Sequence, residues 1–96
     1  MYARVTEFQI DAARHVLATQ ISQEQIGPAM REMQGFERYL VFGDTESGET
    51  IVVTMWATEA DEEASRGSMG GRFAALGSIV TSPPRPSKIF RLIDQA

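Results

Sequence analysis

Four apolar segments of the chain have the length and composition of β-strands, with apolar residues at both odd and even positions. These segments are residues 2–10, 37–43, 49–56 and 88–94. In the first, Tyr2, Phe8 and Ile10 share one parity and Val5 has the other, so apolar groups point to both faces. This pattern predicts a sheet whose two faces are both at least partly covered.

The segment between the first two strands follows the helical period instead. Val16, Ile26, Met30 and Met33 recur at spacings near 3.6 residues. Gly35 can end this helix in the left-handed conformation that glycine adopts without steric cost. We therefore expect helix over most of residues 11–34.

Two arrangements of this helix fit the sequence. Ser22 and Gln25 could form a capping box, which would begin a fresh helix there. Alternatively, one helix runs through from near Asp11, and Pro28 removes one backbone hydrogen bond and kinks it.

A polar connector and a second helix follow. Residues 44–48 join two apolar strands, and Gly48 is available for a positive φ, so the pair is predicted to be a hairpin.

Thr58 can cap the next helix, with Asp61 completing the capping box. The acidic residues within the stretch 58–63, TEADEE, suit the positive end of the helix dipole and are expected to be solvated.

The second helix contains several glycines, and each interior one costs about 1 kcal/mol relative to alanine. We expect helix to about Arg66, a loosened part across Gly67–Gly71, and helix again from Arg72 to Leu76. Residues 81–87 contain prolines and are predicted to be an extended connector before the last strand.

The resulting order is β-α-β-β-α-β in one domain, residues 1–96. This order is typical of an α+β, ferredoxin-like fold, an antiparallel four-stranded sheet with two helices on one face. The other face would be bare in a monomer, yet the two hairpin strands carry apolar side chains on both faces: Tyr39, Leu40, Val41 and Phe42 in one, and Ile51 to Val53 and Met55 in the next. A large apolar face marks an interface, and a two-fold homodimer would cover it.

Composition narrows the functional classes further. The net charge is −4, which argues against nucleic acid and against anionic membrane surfaces as partners. The chain has no cysteine, so disulfides, thiolate metal sites and cysteine nucleophiles are excluded. With no signal peptide and no long apolar run, we expect a soluble cytoplasmic protein.

Three stretches together resemble the antibiotic biosynthesis monooxygenase-like family of the dimeric α/β-barrel superfamily. They are MYARVTEFQ, IGPAMREMQGFERYLVFGDTESG and VVTMWATEADEEAS. The resemblance implies a homodimer whose sheets form a barrel, with a pocket in each subunit between sheet and helices. It also implies a small-molecule ligand: some members are cofactor-independent monooxygenases of phenolic compounds, and others degrade haem.

The resemblance carries over only in part at the level of site residues. Catalytic members use an Asn with a Trp, and this sequence has no Asn. The haem degraders add a His on the second helix, whereas His15 lies before or within the first, so the haem role does not carry over. For the oxygenase role, the resemblance leaves Trp56 and Arg72 as catalytic candidates, with neither cofactor nor metal.

Each candidate has a structural alternative. Trp56 could stack on a ligand or simply pack the strand end against the second helix. Arg4 could reach the pocket or pair across a dimer. The residues expected to line an aromatic or apolar ligand are Phe8, Met30, Met69 and Phe73.

The sequence and the resemblance together leave three hypotheses about the function. The first is a small-molecule-binding protein that resembles cofactor-independent monooxygenases, with weak or no oxygenase activity; if it is an oxygenase, a substrate phenol is deprotonated and its carbanion passes an electron to dioxygen. The second is a non-catalytic ligand-binding or sensing module that uses the same pocket. The third is a structural dimer with a protein partner.

Overall fold

The computed structural model describes residues 1–96 as one antiparallel sheet with helices on one face. The strands are β1 (Tyr2–Ile10), β2 (Phe36–Gly43), β3 (Glu49–Trp56), β4 (Val80–Ser82) and β5 (Lys88–Arg91). The helices are α1 (His15–Ile21), α2 (Gly27–Arg31) and α3 (Glu59–Phe73). The strand order is β2-β3-β1-β4, and β5 also pairs with β1. The ferredoxin-like α+β prediction is confirmed, although the sheet has five strands instead of the predicted four, because residues 80–82 of the expected connector form β4.

The helical segment before β2 is continuous rather than divided. A 3-10 turn (Ala12–Arg14) precedes α1, and a π-helical turn (Ser22–Ile26) joins α1 to α2. Ser22 has helical backbone angles, and its hydroxyl lies 2.6 Å from the Tyr39 hydroxyl instead of capping a new helix. The capping-box alternative is therefore wrong. The π turn, with the Gly27 N–H bonded to the Ser22 carbonyl, places Pro28 in the first turn of α2, where its missing N–H costs least.

Two glycines occupy backbone conformations that the fold requires. Gly35 has φ 76° and ends the helical segment, and Gly48 has φ 83° in the β2–β3 hairpin, as predicted. A Cβ on Gly35 would also overlap the carboxylate of Asp61, and one on Gly48 would overlap the Ile10 carbonyl. Both positions therefore exclude a side chain for two independent reasons.

Helix α3 is continuous, and the predicted loosening across Gly67–Gly71 is wrong. Thr58 caps its first turn, accepting a hydrogen bond from the Asp61 N–H at 3.1 Å. The helix also buries Glu62 and Met69 against the sheet, and such packing outweighs the low helix propensity of its exposed glycines.

The last strand is shorter than predicted and shares its edge with an additional strand. β4 pairs with the end of β1 near Gln9, and β5 pairs with its beginning, Tyr2–Val5. β5 ends at Arg91 rather than continuing to residue 94, although the Leu92 N–H still donates to the Met1 carbonyl. No helix of the structure has the length and apolar character needed to cross a membrane.

The core lies between the sheet and the helices, and the opposite sheet face is uncovered. Its buried cluster consists of Ile10, Ile26, Met30, Met69, Leu76 and Ile79. On the uncovered face, Phe42 is 56% exposed and Phe90 is 51% exposed. An apolar sheet face without a covering layer is thus present, as the apolar residues at both parities of the strands predict.

Candidate functional site

A cavity of about 570 Å³ lies between the sheet and α3. Its floor is formed by alternate residues of the two central strands, which all face the helices. These floor residues are Arg4, Thr6, Phe8, Val52, Thr54 and Trp56. Because β1 and β3 are paired in register, the floor forms adjacent cross-strand pairs, including Arg4 opposite Thr54 and Thr6 opposite Val52.

One end of the cavity is apolar. The four residues that the sequence suggests as ligand contacts, Phe8, Met30, Met69 and Phe73, all line it. Met30 and Met69 are also buried core residues, 1% and 4% exposed. Their thioether side chains combine flexibility with polarizability, which suits a wall that adapts to an apolar ligand.

The other end of the cavity carries hydroxyl groups. Thr54 lies beside Arg4 on the neighbouring strand, and the Thr6 and Ser87 hydroxyls are 2.7 Å apart. Ser87 belongs to the segment between β4 and β5, so that segment closes the polar end. The cavity is therefore amphipathic, with polar groups concentrated at the end near the start of β1.

The carboxylate of Glu62 is completely buried next to this polar end, and it pairs with two arginines that line the cavity. Arg66 binds it with two hydrogen bonds, Nε to Oε1 at 2.9 Å and Nη2 to Oε2 at 2.7 Å. The hydrogen bonding that Arg66 donates to the Glu62 carboxylate is the main cause of the raised pKa of Arg66. The Nη1 of Arg4 approaches the same carboxylate at 3.9 Å. The expectation that the acidic residues of the helix start are all solvated is therefore wrong for Glu62.

Trp56 is a wall of the cavity and a core residue at the same time. Its side chain is buried, and its ring packs edge-on against Phe36 with centroids 5.8 Å apart. Its Nε1–H donates to the Thr54 hydroxyl oxygen at 3.0 Å. The indole N–H is thus already engaged by a protein acceptor, and the group left to donate to a ligand is the Thr54 hydroxyl.

The structure does not bring Arg72 to the cavity. Arg72 is exposed near the end of α3, whereas Arg66 lines the cavity. Glu62, Arg66, Met69 and Phe73 follow the helical spacing of one face, and Arg72 lies outside that stripe. Helical phase was the signal in the sequence that could have distinguished the two arginines.

A second cavity, of about 460 Å³, adjoins the first on the side of α1. It is lined by His15 and Tyr39 among others, and Phe8 and Phe73 contribute to both cavities. Burial raises the pKa of Tyr39, and the hydrogen bond with Ser22 only partly offsets this effect. The His15 Nδ1 lies 3.0 Å from the Ala12 carbonyl, as in a local helix-start contact. No cluster of three metal-ligating side chains is present in the structure.

Comparison with known proteins identifies the fold. No family model matches the sequence, and no curated protein matches it by sequence. A monooxygenase of Streptomyces coelicolor in complex with nanaomycin D superimposes with a TM-score of 0.79 at 16% identity, over 99% of this chain and 89% of that one. A structure described as an antibiotic biosynthesis monooxygenase gives 0.76 at 10% identity, over 98% and 100%. The Rv0793 protein of Mycobacterium tuberculosis gives 0.75 at 18% identity, over 99% and 97%. The chain therefore has the fold of the antibiotic biosynthesis monooxygenase-like proteins.

Proposed function

We propose that this protein binds an aromatic or apolar small molecule in the cavity between the sheet and α3. The observation that carries the proposal is an amphipathic cavity of about 570 Å³, a size typical of small-molecule sites. Its apolar end can bury a flat hydrocarbon body, and its polar end can fix the orientation of that body. The cavity occupies the region between sheet and helices in which the family resemblance implies a ligand.

Trp56, the only tryptophan of the chain, provides a direct test because it lines the cavity. We expect its fluorescence to change saturably when a bicyclic aromatic compound such as 2-naphthamide is added. An absence of any change, together with an absence of heat in calorimetric titrations of a panel of aromatic compounds, would contradict the proposal.

Two glycines of α3 offer a matched pair of variants for this test. Gly70 lines the cavity and Gly67 does not, and a Cβ at either position meets no atom within 4 Å. Gly70→Leu should therefore obstruct the cavity and weaken binding at least tenfold, about 1.4 kcal/mol. Gly67→Leu should leave the dissociation constant within twofold of wild type. Equal effects of the two substitutions would place the ligand elsewhere.

A second candidate is cofactor-independent oxygenation of a phenolic ligand in the same cavity. It is favoured by the fold shared with the monooxygenase that was solved with nanaomycin D. The ionised phenol would pass an electron to dioxygen, while the protein supplies orientation and stabilisation of the oxyanion. Oxygen-electrode measurements with an anthrone or hydroquinone, with and without protein, decide between this activity and binding alone. If the protein is an oxygenase, Trp56→Phe should change the rate of oxygen consumption, because the Thr54 hydroxyl loses the hydrogen bond that it accepts from the indole N–H.

We further propose a homodimer in which two copies pair through the uncovered sheet face. The chain exposes 6291 Å², whereas a monomer of its 10.6 kDa mass exposes about 5,500 Å². The apolar side chains on the face include Leu40, Phe42, Ile51, Val53, Met55 and Phe90. The face also carries both signs of charge, Glu7 and Arg38, so it can complement a copy of itself across a two-fold axis.

A further inference from the structure

We infer that the ligand of the cavity carries one carboxylate group and that Arg4 is the residue that binds it. The inference rests on the proposed function and names the chemical class of the ligand. It comes from the charge balance and hydrogen bonding at the polar end of the cavity.

The acids around the polar end are shared unevenly among the arginines. Arg66 is paired with Glu62, and Glu59 and Glu63 also lie near it on α3. Arg85 lines the cavity, but its Nη1 pairs with Glu7 at 3.1 Å. Arg4 lines the cavity too, and its one acidic neighbour within 4 Å is Glu62, which Arg66 already binds. Arg4 is therefore the cavity arginine whose charge is least compensated, and a carboxylate of a ligand would complement it.

Hydrogen bonding also distinguishes Arg4 from Arg66. Arg66 already forms two short hydrogen bonds with Glu62. Arg4 lies 3.9 Å from that carboxylate, which is too long for a hydrogen bond. Its guanidinium is therefore held in position by Coulomb attraction while its N–H donors stay available. A planar guanidinium fork matches the two oxygens of a carboxylate.

A hydroxyl beside Arg4 strengthens the assignment. Thr54 is the direct cross-strand partner of Arg4 and is buried. Its oxygen accepts the Trp56 N–H, which leaves its own hydrogen free to donate to an anion. Thr6 lies two residues after Arg4 on β1, on the same face of the sheet, so its hydroxyl is the next polar group along the cavity floor. A ligand with its carboxylate between Arg4 and Thr54 would extend its body toward Phe8 and Phe73.

The test compares two ligands of the same shape, 2-naphthoate and 2-naphthamide, by isothermal titration calorimetry at pH 7. We expect the wild-type protein to bind the carboxylate at least roughly tenfold more tightly than the amide, as one charge-assisted hydrogen-bonded pair predicts. If both bind equally, the inference is wrong and the proposed function stands. If neither binds and no aromatic compound of the wider panel does, both fail.

Substitutions then locate the source of the preference. Arg4→Gln should abolish the preference for naphthoate over naphthamide, and Arg4→Lys should retain part of it. Arg14→Gln removes the same charge from an exposed site outside the cavity and should leave the preference unchanged. A preference that survives Arg4→Gln, or is equally lost in Arg14→Gln, would overturn the assignment. The wild-type comparison remains decisive even if Arg4→Gln does not fold.

Discussion

At the scale of single residues, the indole of Trp56 has a polar partner that determines its role. A buried N–H must find an acceptor, and Trp56 finds it two residues earlier on its own strand, at the Thr54 hydroxyl. The pair therefore links the packing of the strand end to the orientation of a hydroxyl at the polar end of the cavity.

This link predicts a coupling free energy between the two residues. Thr54→Val should lower the free energy of unfolding by about 1–2 kcal/mol, because it leaves the Trp56 N–H without a protein acceptor. In a Trp56→Phe background the same substitution should cost much less, since no N–H remains. Urea denaturation of the four proteins of this double-mutant cycle measures the coupling. Additive effects of the two substitutions would show that the hydrogen bond contributes nothing.

Tyr39 gives a prediction about pH. Burial raises the pKa of its phenol, so the folded state holds the proton more tightly than the unfolded chain does. Its contribution to stability is therefore complete below the ordinary tyrosine pKa of about 10 and is lost as pH rises above it. Tyr39→Phe should be less stable than wild type at pH 7, because Ser22 loses its partner, but should lose less stability between pH 9 and 11. Denaturant titrations at these pH values check the sign, and equal alkaline losses would contradict it.

At the scale of elements, α3 is held by its cap and its buried face despite three exposed glycines. Gly67→Ala and Gly71→Ala should each raise the free energy of unfolding by about 0.5–1 kcal/mol, since a Cβ at either position meets open space. Gly35→Ala is the contrasting substitution. It should lower the free energy of unfolding by several times that amount, because Gly35 has a positive φ and a Cβ there would clash with the Asp61 side chain. Thermal or urea denaturation distinguishes the two signs. No gain at Gly67 and Gly71 would mean that packing alone holds the helix.

The same helix shows why the sequence predicts some features and not others. Strands β1 and β3 were predicted with their observed bounds because alternation and turn residues are local signals. The continuity of α3 was missed because glycine propensity is local, whereas the burial of Met69 against the sheet is not. Parity and apolar character indicated Phe8 and Met69 as cavity residues. Neither signal reveals that Glu62 is buried beside Arg66 and Arg4, since that depends on how α3 sits on the sheet.

At the scale of the whole molecule, the uncovered sheet face predicts how the chain assembles. Phe42→Lys places a charge on the uncovered sheet face and should convert a dimer into a monomer at micromolar concentration, as measured by sedimentation equilibrium. Val16→Lys is the control, because Val16 is 60% exposed on α1, away from that face, while Phe42 is 56% exposed. A wild-type protein that sediments near 10.6 kDa would refute the dimer.

The proline-containing segment between β4 and β5 has a consequence for polymerisation. Pro83, Pro84 and Pro86 lie along the outer edge of β1 and offer no N–H groups, while the Arg85 N–H is already bonded to the Glu7 carbonyl at 3.0 Å. β2 presents an unpaired edge eight residues long, whereas the opposite edge of the sheet consists of two short strands, β4 and β5, with the prolines between them. Short strands and prolines are features that oppose the addition of another strand at a sheet edge. Edge-to-edge association of this fold should therefore begin at β2, and the interrupted β4–β5 edge disfavours its continuation into a fibril.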